Sequence, residues 1–211
     1  MRLDARREHG RLSNFAGEPK AAASCDDLGV GGWQALVRDL VHRTQRDVLD
    51  VLDGLDPALV DDVVQPGTNS IGWLLWHLTR SHDRNVSELQ NREQLWLSEG
   101  WYARFGRAAD PDETGYGHSP AQAASFRSPP ASVLVGYHQA VVKMIDEYLR
   151  RAPDEDLDRL ATSPTLGDTT TVHLRLVGVL VEGLEHVGQA ALLRGVLQRR
   201  QEGASPKRDG P

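Results

Sequence analysis

Val181-Glu182-Gly183-Leu184-Glu185-His186-Val187-Gly188-Gln189, residues 181–189, places an acid and an imidazole one helical turn apart in an otherwise apolar stretch. Side chains at i and i+4 leave a helix from one face with Cβ atoms about 6 Å apart, so Glu182 and His186 can reach one cation. Val179, Glu182, His186, Gln189 and Leu193 continue as one stripe between flanks of Leu180, Val181, Leu184 and Val187, which directs both polar groups inward. A carboxylate turned inward needs a partner or a metal ion. A second imidazole, His77, stands in the equally apolar Trp73-Leu74-Leu75-Trp76-His77-Leu78. Two imidazoles and one carboxylate converging from two helices would make a metal site with an open position. Each piece also has a plainer reading: Glu-x-x-x-His arises on ordinary surface helices, and His77 can be a core histidine bonded to a neighbouring helix.

Outward from residues 181–189, the apolar pattern runs from a cap near Thr169 or Thr170 to about Arg200, a helix of about 45 Å at 1.5 Å per residue. Being apolar on much of its circumference, it is expected to be the central element. Pro66-Gly67-Thr68-Asn69-Ser70 is a turn with capping residues, after which a helix carries His77 and reaches Leu89. Trp33, Leu36, Val37, Leu40, Val41, Thr44, Val48, Val51 and Leu52 recur at three- and four-residue intervals before Gly54, the stripe of a further helix. Pro129-Pro130 opens another, with Val133, Leu134, Tyr137, Val141, Met144, Ile145, Tyr148 and Leu149 on its stripe, and Pro153 forbids its continuation. Residues 95–128 show no sustained period, and no stretch alternates convincingly as a strand. The expected fold is all-α: a four-helix bundle with a long crossover between the second and third helices. Residues 1–30 read as a flexible N-terminal arm, 31–200 as the metal-binding bundle and 201–211 as a flexible C-terminal tail. Cys25 lies in the arm and is given no role.

Composition removes several classes of function. A single cysteine in 211 residues allows no internal disulfide and no cysteine-based zinc motif, so any metal must be held by His, Asp or Glu. A net charge of -6 argues against binding a nucleic-acid backbone. No apolar run approaches the roughly 20 residues of a membrane span, and Met-Arg-Leu-Asp-Ala-Arg-Arg at the start lacks a secretory signal's hydrophobic stretch. The expectation is a cytoplasmic protein with no nucleic acid and no membrane as partner. Arginine outnumbers lysine 21 to 3, a bias that suits a GC-rich bacterial genome.

Other polar residues rank behind the three candidate ligands. His82 follows His77 by five residues, about 140° around the helix, so it cannot share a metal with it and is expected to be solvated. His138 and His173 are reserve ligands. Arg80 and Arg84, three and seven residues after His77, are candidates for holding carboxylates of a substrate or thiol, or else belong to an ordinary exposed face. Gln189 is a candidate to hydrogen-bond a ligand atom.

Trp73-Leu74-Leu75-Trp76-His77-Leu78-Thr79-Arg80 with Asp83, then Glu182-x-x-x-His186-x-Gly188-Gln189 with Leu192-Leu193-Arg194-Gly195, resembles the two signature helices of the DinB-like superfamily over about residues 33–200. The branch it is most similar to is the mycothiol-dependent metalloenzymes, which include maleylpyruvate isomerase. That resemblance implies His77, Glu182 and His186 as ligands of a divalent metal, zinc or nickel; the first residue of the pair is histidine in many members and glutamate in the mycothiol-type branch. Gly178 and Gly183 depart from the larger side chains typical of this stretch, which points to an unusual pocket above the metal. The implied function is an enzyme that uses a low-molecular-weight thiol, mycothiol, for thiol transfer to a small electrophile or its isomerisation; a homodimer is the assembly considered. A free thiol with pKa near 8.5 is only about 3% ionised at pH 7, so coordination raises the thiolate fraction about thirtyfold at most. The alternatives are a hydrolase using metal-bound water and a non-catalytic DinB-like binding protein.

Overall fold

Ser70 accepts a hydrogen bond from the Trp73 N–H at 3.2 Å and so starts the helix on which the rest of the molecule is assembled. In the computed structural model, which describes residues 31–204, four long helices carry the fold: α1 (Trp33–Leu52), α3 (Ile71–Leu89), α7 (Ala131–Leu149) and α8 (Val172–Ala204). The expected arm at 1–30, Cys25 within it, and the tail beyond residue 204 lie outside the described residues. α8 continues to Ala204, past the expected end at Arg200. Short helices fill the connections: α2 (Pro57–Val60), then α4 (Leu95–Ser98), α5 (Trp101–Arg104) and α6 (Pro120–Ala124) within the crossover. A 3-10 turn (Asp154–Asp158) follows α7.

Val37, Val41, Thr44, Val48, Val51 and Leu52 make one buried stripe on α1, the amphipathic spacing of a helix with one covered face. α1 packs on α7 and α8, and α3 packs on α7 and, most extensively, on α8. The bundle is thus all-α with one crossover between its second and third long helices.

Three features differ from the expectation. β1 (Leu160–Thr162) and β2 (Thr169–Thr171) form an antiparallel hairpin with Ala161 opposite Thr170. Strands of three residues are too short to display a period of two, and Thr169 and Thr170, read as helix caps, belong to the second of them. The cap is Thr171, whose hydroxyl accepts the Leu174 N–H at 3.3 Å.

The central helix is α3, not α8. Every residue of α3 except Glu88 is buried, including Arg80, Asp83, Arg84 and Asn85. The cause is the crossover, which lies over the side of α3 that the long helices leave open. Asp83 is its anchor: Oδ1 accepts the Leu95 N–H at 2.9 Å and the Ser87 hydroxyl at 3.1 Å, and Oδ2 accepts the Trp96 N–H at 2.8 Å and the Tyr137 hydroxyl at 2.7 Å. A buried carboxylate so fully supplied with donors ties α3, α4 and α7 together.

α8 exposes Leu174, Val177, Val181, Leu184 and Leu192 on its outer side. Among the described residues it is the one helix long and apolar enough to cross a membrane, by length and composition alone. That corrects the sequence estimate, because Glu182 and Glu185 interrupt the apolar run without lowering its mean hydropathy enough to exclude a span. Its inner face packs on α1 and α3 as a core helix does.

Candidate metal centre

His77 on α3 and Glu182 and His186 on α8 meet where the two helices pack. His77 Nε2 lies 2.9 Å from Glu182 Oε1 and His186 Nε2 lies 3.9 Å from the same oxygen, and one donor atom from each of the three residues lies within 4.8 Å of the others. Ligands about 2.1 Å from a tetrahedral ion stand about 3.4 Å apart. The two measured separations bracket that value, so the donor set fits a first-row divalent cation held by two imidazoles and one carboxylate.

Each donor is aimed by a partner of its own. The His77 Nδ1–H donates to the Thr114 carbonyl at 2.5 Å, which leaves the Nε2 lone pair for a metal. His186 Nδ1 is 3.2 Å from Gln189 Oε1, which fixes the same tautomer on the second imidazole. Ser81, one turn after His77, donates to Glu182 Oε2 and leaves Oε1 on the site. Such outer contacts set ring orientation and raise ligand basicity. Burial opposes ionisation of Glu182, but in the metal-free contact His77 and Ser81 outweigh it and hold the carboxyl at about 2; a cation bound at His77 Nε2 would stand in place of the proton there. Glu182 is therefore an anion near neutral pH, as a metal ligand would need to be.

The loop that delivers Thr114 depends on glycine. Gly115 has φ +87°, and a Cβ there would stand 2.9 Å from Trp76 Cζ3, 3.0 Å from Trp73 Cζ2 and 3.1 Å from His77 Nδ1. Trp73 stacks on the His77 ring at 4.7 Å and donates its indole N–H to His118 Nδ1 at 3.2 Å, closing the inner side of the site.

On the outer side lies an open cavity of about 660 Å³, bordered by Glu182, Arg84, Arg175, Asn85, Tyr116 and Gly178. Gly178 and Gly183, both unusual from the sequence, act differently. A Cβ on Gly178 would meet nothing within 4 Å, so this glycine widens the cavity. A Cβ on Gly183 would come within 2.8 Å of His82 Nε2, so this glycine lets α3 and α8 approach.

His82 is buried, not solvated, because α8 covers it at Gly183; its Nε2 pairs with the Val179 carbonyl at 2.9 Å. The reserve ligands are elsewhere: His138 is buried with Nδ1 3.0 Å from the Thr79 hydroxyl, and His173 is exposed. Arg80 does not face a ligand. It is fully buried, with Nε on the Glu113 carbonyl at 3.0 Å, Nη1 on Tyr137 at 3.2 Å, and Nη2 on Gln94 at 2.8 Å and the Pro111 carbonyl at 3.0 Å. Its donors are spent on the crossover and on Tyr137 of α7. Gln189 is directed to His186. Arg84 does border the cavity, and burial pulls its guanidinium below the usual range against the charges of Glu88 and Glu182. Sequence reasoning missed Ser81, Thr114, Tyr116 and Arg175. Ser81 was accessible from its i+4 spacing to His77; the Gly115-Tyr116-Gly117 pair of glycines marked a turn but not what it approaches.

A family model described as the DinB superfamily matches residues 40–190. The chain is also similar to the crystal structure of a conserved protein from Enterococcus faecalis, with 25% identity and a TM-score of 0.70, covering 78% of this chain and 96% of that one. No protein of curated function matches it. With the signature histidine on α3 and the Glu-x-x-x-His pair on α8 facing each other, and with the family model matching over most of the bundle, the chain belongs to the DinB superfamily.

Proposed function

We propose that this protein is a divalent-metal-dependent enzyme, zinc or nickel in its resting form, that joins a low-molecular-weight thiol such as mycothiol to a small electrophile or uses it to isomerise one. The observation that carries the reading is the triad His77, Glu182 and His186, whose Glu182 borders a cavity of about 660 Å³. Three protein ligands leave a vertex for a reactant, the pattern of a catalytic site, whereas a structural site is closed by four. The cavity volume is that of a small-molecule pocket.

A cation held there would supply Lewis acidity, lowering the pKa of a coordinated thiol or water. The residues provide the rest. Glu182 keeps its negative charge, and Ser81 and Gln189 hold it and His186 in place. Trp73 excludes water behind His77, and the cavity orients the second reactant. The setting proposed is the bacterial cytoplasm, where such thiols are kept reduced.

Elemental analysis of the purified full chain, followed by mass spectrometry of products with and without added thiol, tests the proposal. A stoichiometric divalent metal and a thiol-containing or thiol-dependent product are expected. Turnover without thiol would replace the proposal by hydrolysis through metal-bound water, and less than a tenth of an equivalent of metal would favour a non-catalytic binding protein. Glu182→Gln is expected to reduce metal affinity by at least about tenfold with the helical circular dichroism intact; unchanged occupancy would exclude the carboxylate as a ligand.

A further inference from the structure

Arg84 is a cation with no ion pair: the charges of Glu88, one turn on, and of Glu182 act on it from beyond ion-pair distance. It is only 7% exposed, its Nε is buried with no hydrogen-bond partner, and the guanidinium's single bond is Nη1 to the Thr114 hydroxyl at 3.5 Å, the limit of hydrogen-bond range. No carboxylate lies within ion-pair distance of it among the described residues, although the cavity it borders contains Asp168 and Glu182. Both acids are committed. Asp168 pairs with Arg175 at 2.7 Å, and Arg175 reaches Asn85 Oδ1 at 3.4 Å with its other nitrogen. Glu182 is held by His77 and Ser81.

An unpaired charge removed from water is costly, and a guanidinium short of acceptors is the natural receptor of a planar carboxylate, which it binds with two parallel hydrogen bonds. The charge balance points the same way. With a divalent cation in the triad, Glu182 would cancel half of its charge and Asp168 cancels Arg175, so the metal would keep a positive charge and Arg84 would have only the more distant Glu88 to oppose its own. Arg84 and Glu182 of the triad border one open space, and Gly178 leaves room on its α8 side.

We infer that Arg84 is the anchor for a carboxylate carried by one of the two reactants, so that the cavity selects an acid whose reacting end lies toward the His77–Glu182–His186 triad. This rests on the metal-site reading given above. The carboxylate belongs either to the thiol or to the electrophile, and the same binding chemistry serves both.

The test uses the full chain loaded with cobalt(II), whose thiolate charge-transfer absorption reports thiol coordination independently of turnover. If the acid group is part of the thiol, 3-mercaptopropionate binds at least about tenfold more tightly than 2-mercaptoethanol, and Arg84→Gln removes the advantage. If it is part of the electrophile, the two thiols bind alike, and succinate titrated onto the mercaptoethanol complex binds in an Arg84-dependent way. Arg84→Lys, which keeps the charge and loses the fork, is expected to retain part of either effect, and it decides the matter should Arg84→Gln lose its helical circular dichroism. Equal thiol affinities with no Arg84-dependent succinate binding overturn the anchor. Absence of the cobalt signal, with Arg84-dependent succinate binding still measured on the metal-free chain, would instead overturn the metal reading and leave the anchor standing.

Discussion

α3 and α8 each contribute to the candidate metal centre, yet they are supported in opposite ways. α3 is enclosed on all sides and carries a row of charged and polar groups bonded to the crossover; α8 is the more apolar sequence and leaves Leu174, Val177, Val181, Leu184 and Leu192 in contact with solvent. A helix is placed at the centre of a bundle by what covers it, not by its hydropathy alone. Most of the charged and polar groups of α3, Arg80, His82 and Asp83 among them, are tolerated because they have partners from distant parts of the chain, Arg84 being the exception, and the Thr114 carbonyl orients His77 in the same way. α8 meets the site along one face, and its outer face is free to change.

The largest effect should come from cutting the support of α3. Asp83→Ala would leave the Leu95 and Trp96 N–H groups and the Tyr137 hydroxyl without their acceptor and remove the charge paired with the buried Arg80 guanidinium. A destabilisation of about 3–5 kcal/mol is expected in denaturant titration. The control on the other helix is Glu185→Ala, at an exposed position of α8, which should stay within about 0.5 kcal/mol of the parent. Comparable losses from both would erase the contrast between the helices.

The loop over His77 comes next. Gly115→Ala places a Cβ against two indoles and an imidazole at a backbone angle that L-residues rarely adopt, so about 2–3 kcal/mol of stability should be lost. Metal occupancy should fall with it, since the Thr114 carbonyl that orients His77 moves too. Loss of stability with occupancy unchanged would mean that Thr114 does not set the His77 tautomer.

These residues also mark what the sequence could disclose. Helical spacing was enough to pair Glu182 with His186 and to separate His82 from the site, because both depend only on angles within one helix. It was not enough to rank the helices, since Arg80, His82, Asp83, Arg84 and Asn85 look solvated until the crossover and α8 cover them. Those bonds link α3 to positions such as Gln94, Glu113 and Val179, which no local pattern connects to it. The hairpin escaped for the opposite reason, being too short to have a pattern.

Acid should weaken the α3 side of the molecule through its buried imidazoles. Burial lowers the pKa of His82, against the Glu182 charge and the Val179 bond, and it lowers that of His138 to about 3, with the His82 charge adding to it. Both rings stay neutral in the fold while the unfolded chain takes up protons below its ordinary value of about 6.5. Their contribution is complete above that pH and shrinks as pH falls, for His138 until about 3. Each group costs at most about 1.4 kcal/mol per pH unit, so a loss of about 1–2 kcal/mol is expected between pH 6.5 and 5.5. Thermal melts of the parent and of His138→Gln check it: the variant should show a shallower acid dependence.

The smallest effect has the opposite sign. Gly178 lies inside α8 in an ordinary helical conformation, and a methyl group added to it would find nothing within 4 Å. An alanine there restricts the unfolded chain and meets no atom of the folded one, so Gly178→Ala should stabilise by about 0.5–1 kcal/mol. Gly183→Ala, five residues along the same helix, must push against His82 at 2.8 Å and should destabilise. The pair separates two reasons for a glycine on one helix: Gly183 is needed where α8 meets α3, whereas Gly178 is needed only by whatever enters the cavity. Stabilisation by Gly178→Ala together with weaker binding of succinate or of a bulky thiol is the expected result. If stability rises and binding is unaffected, the open space beside Gly178 is not where the ligand lies.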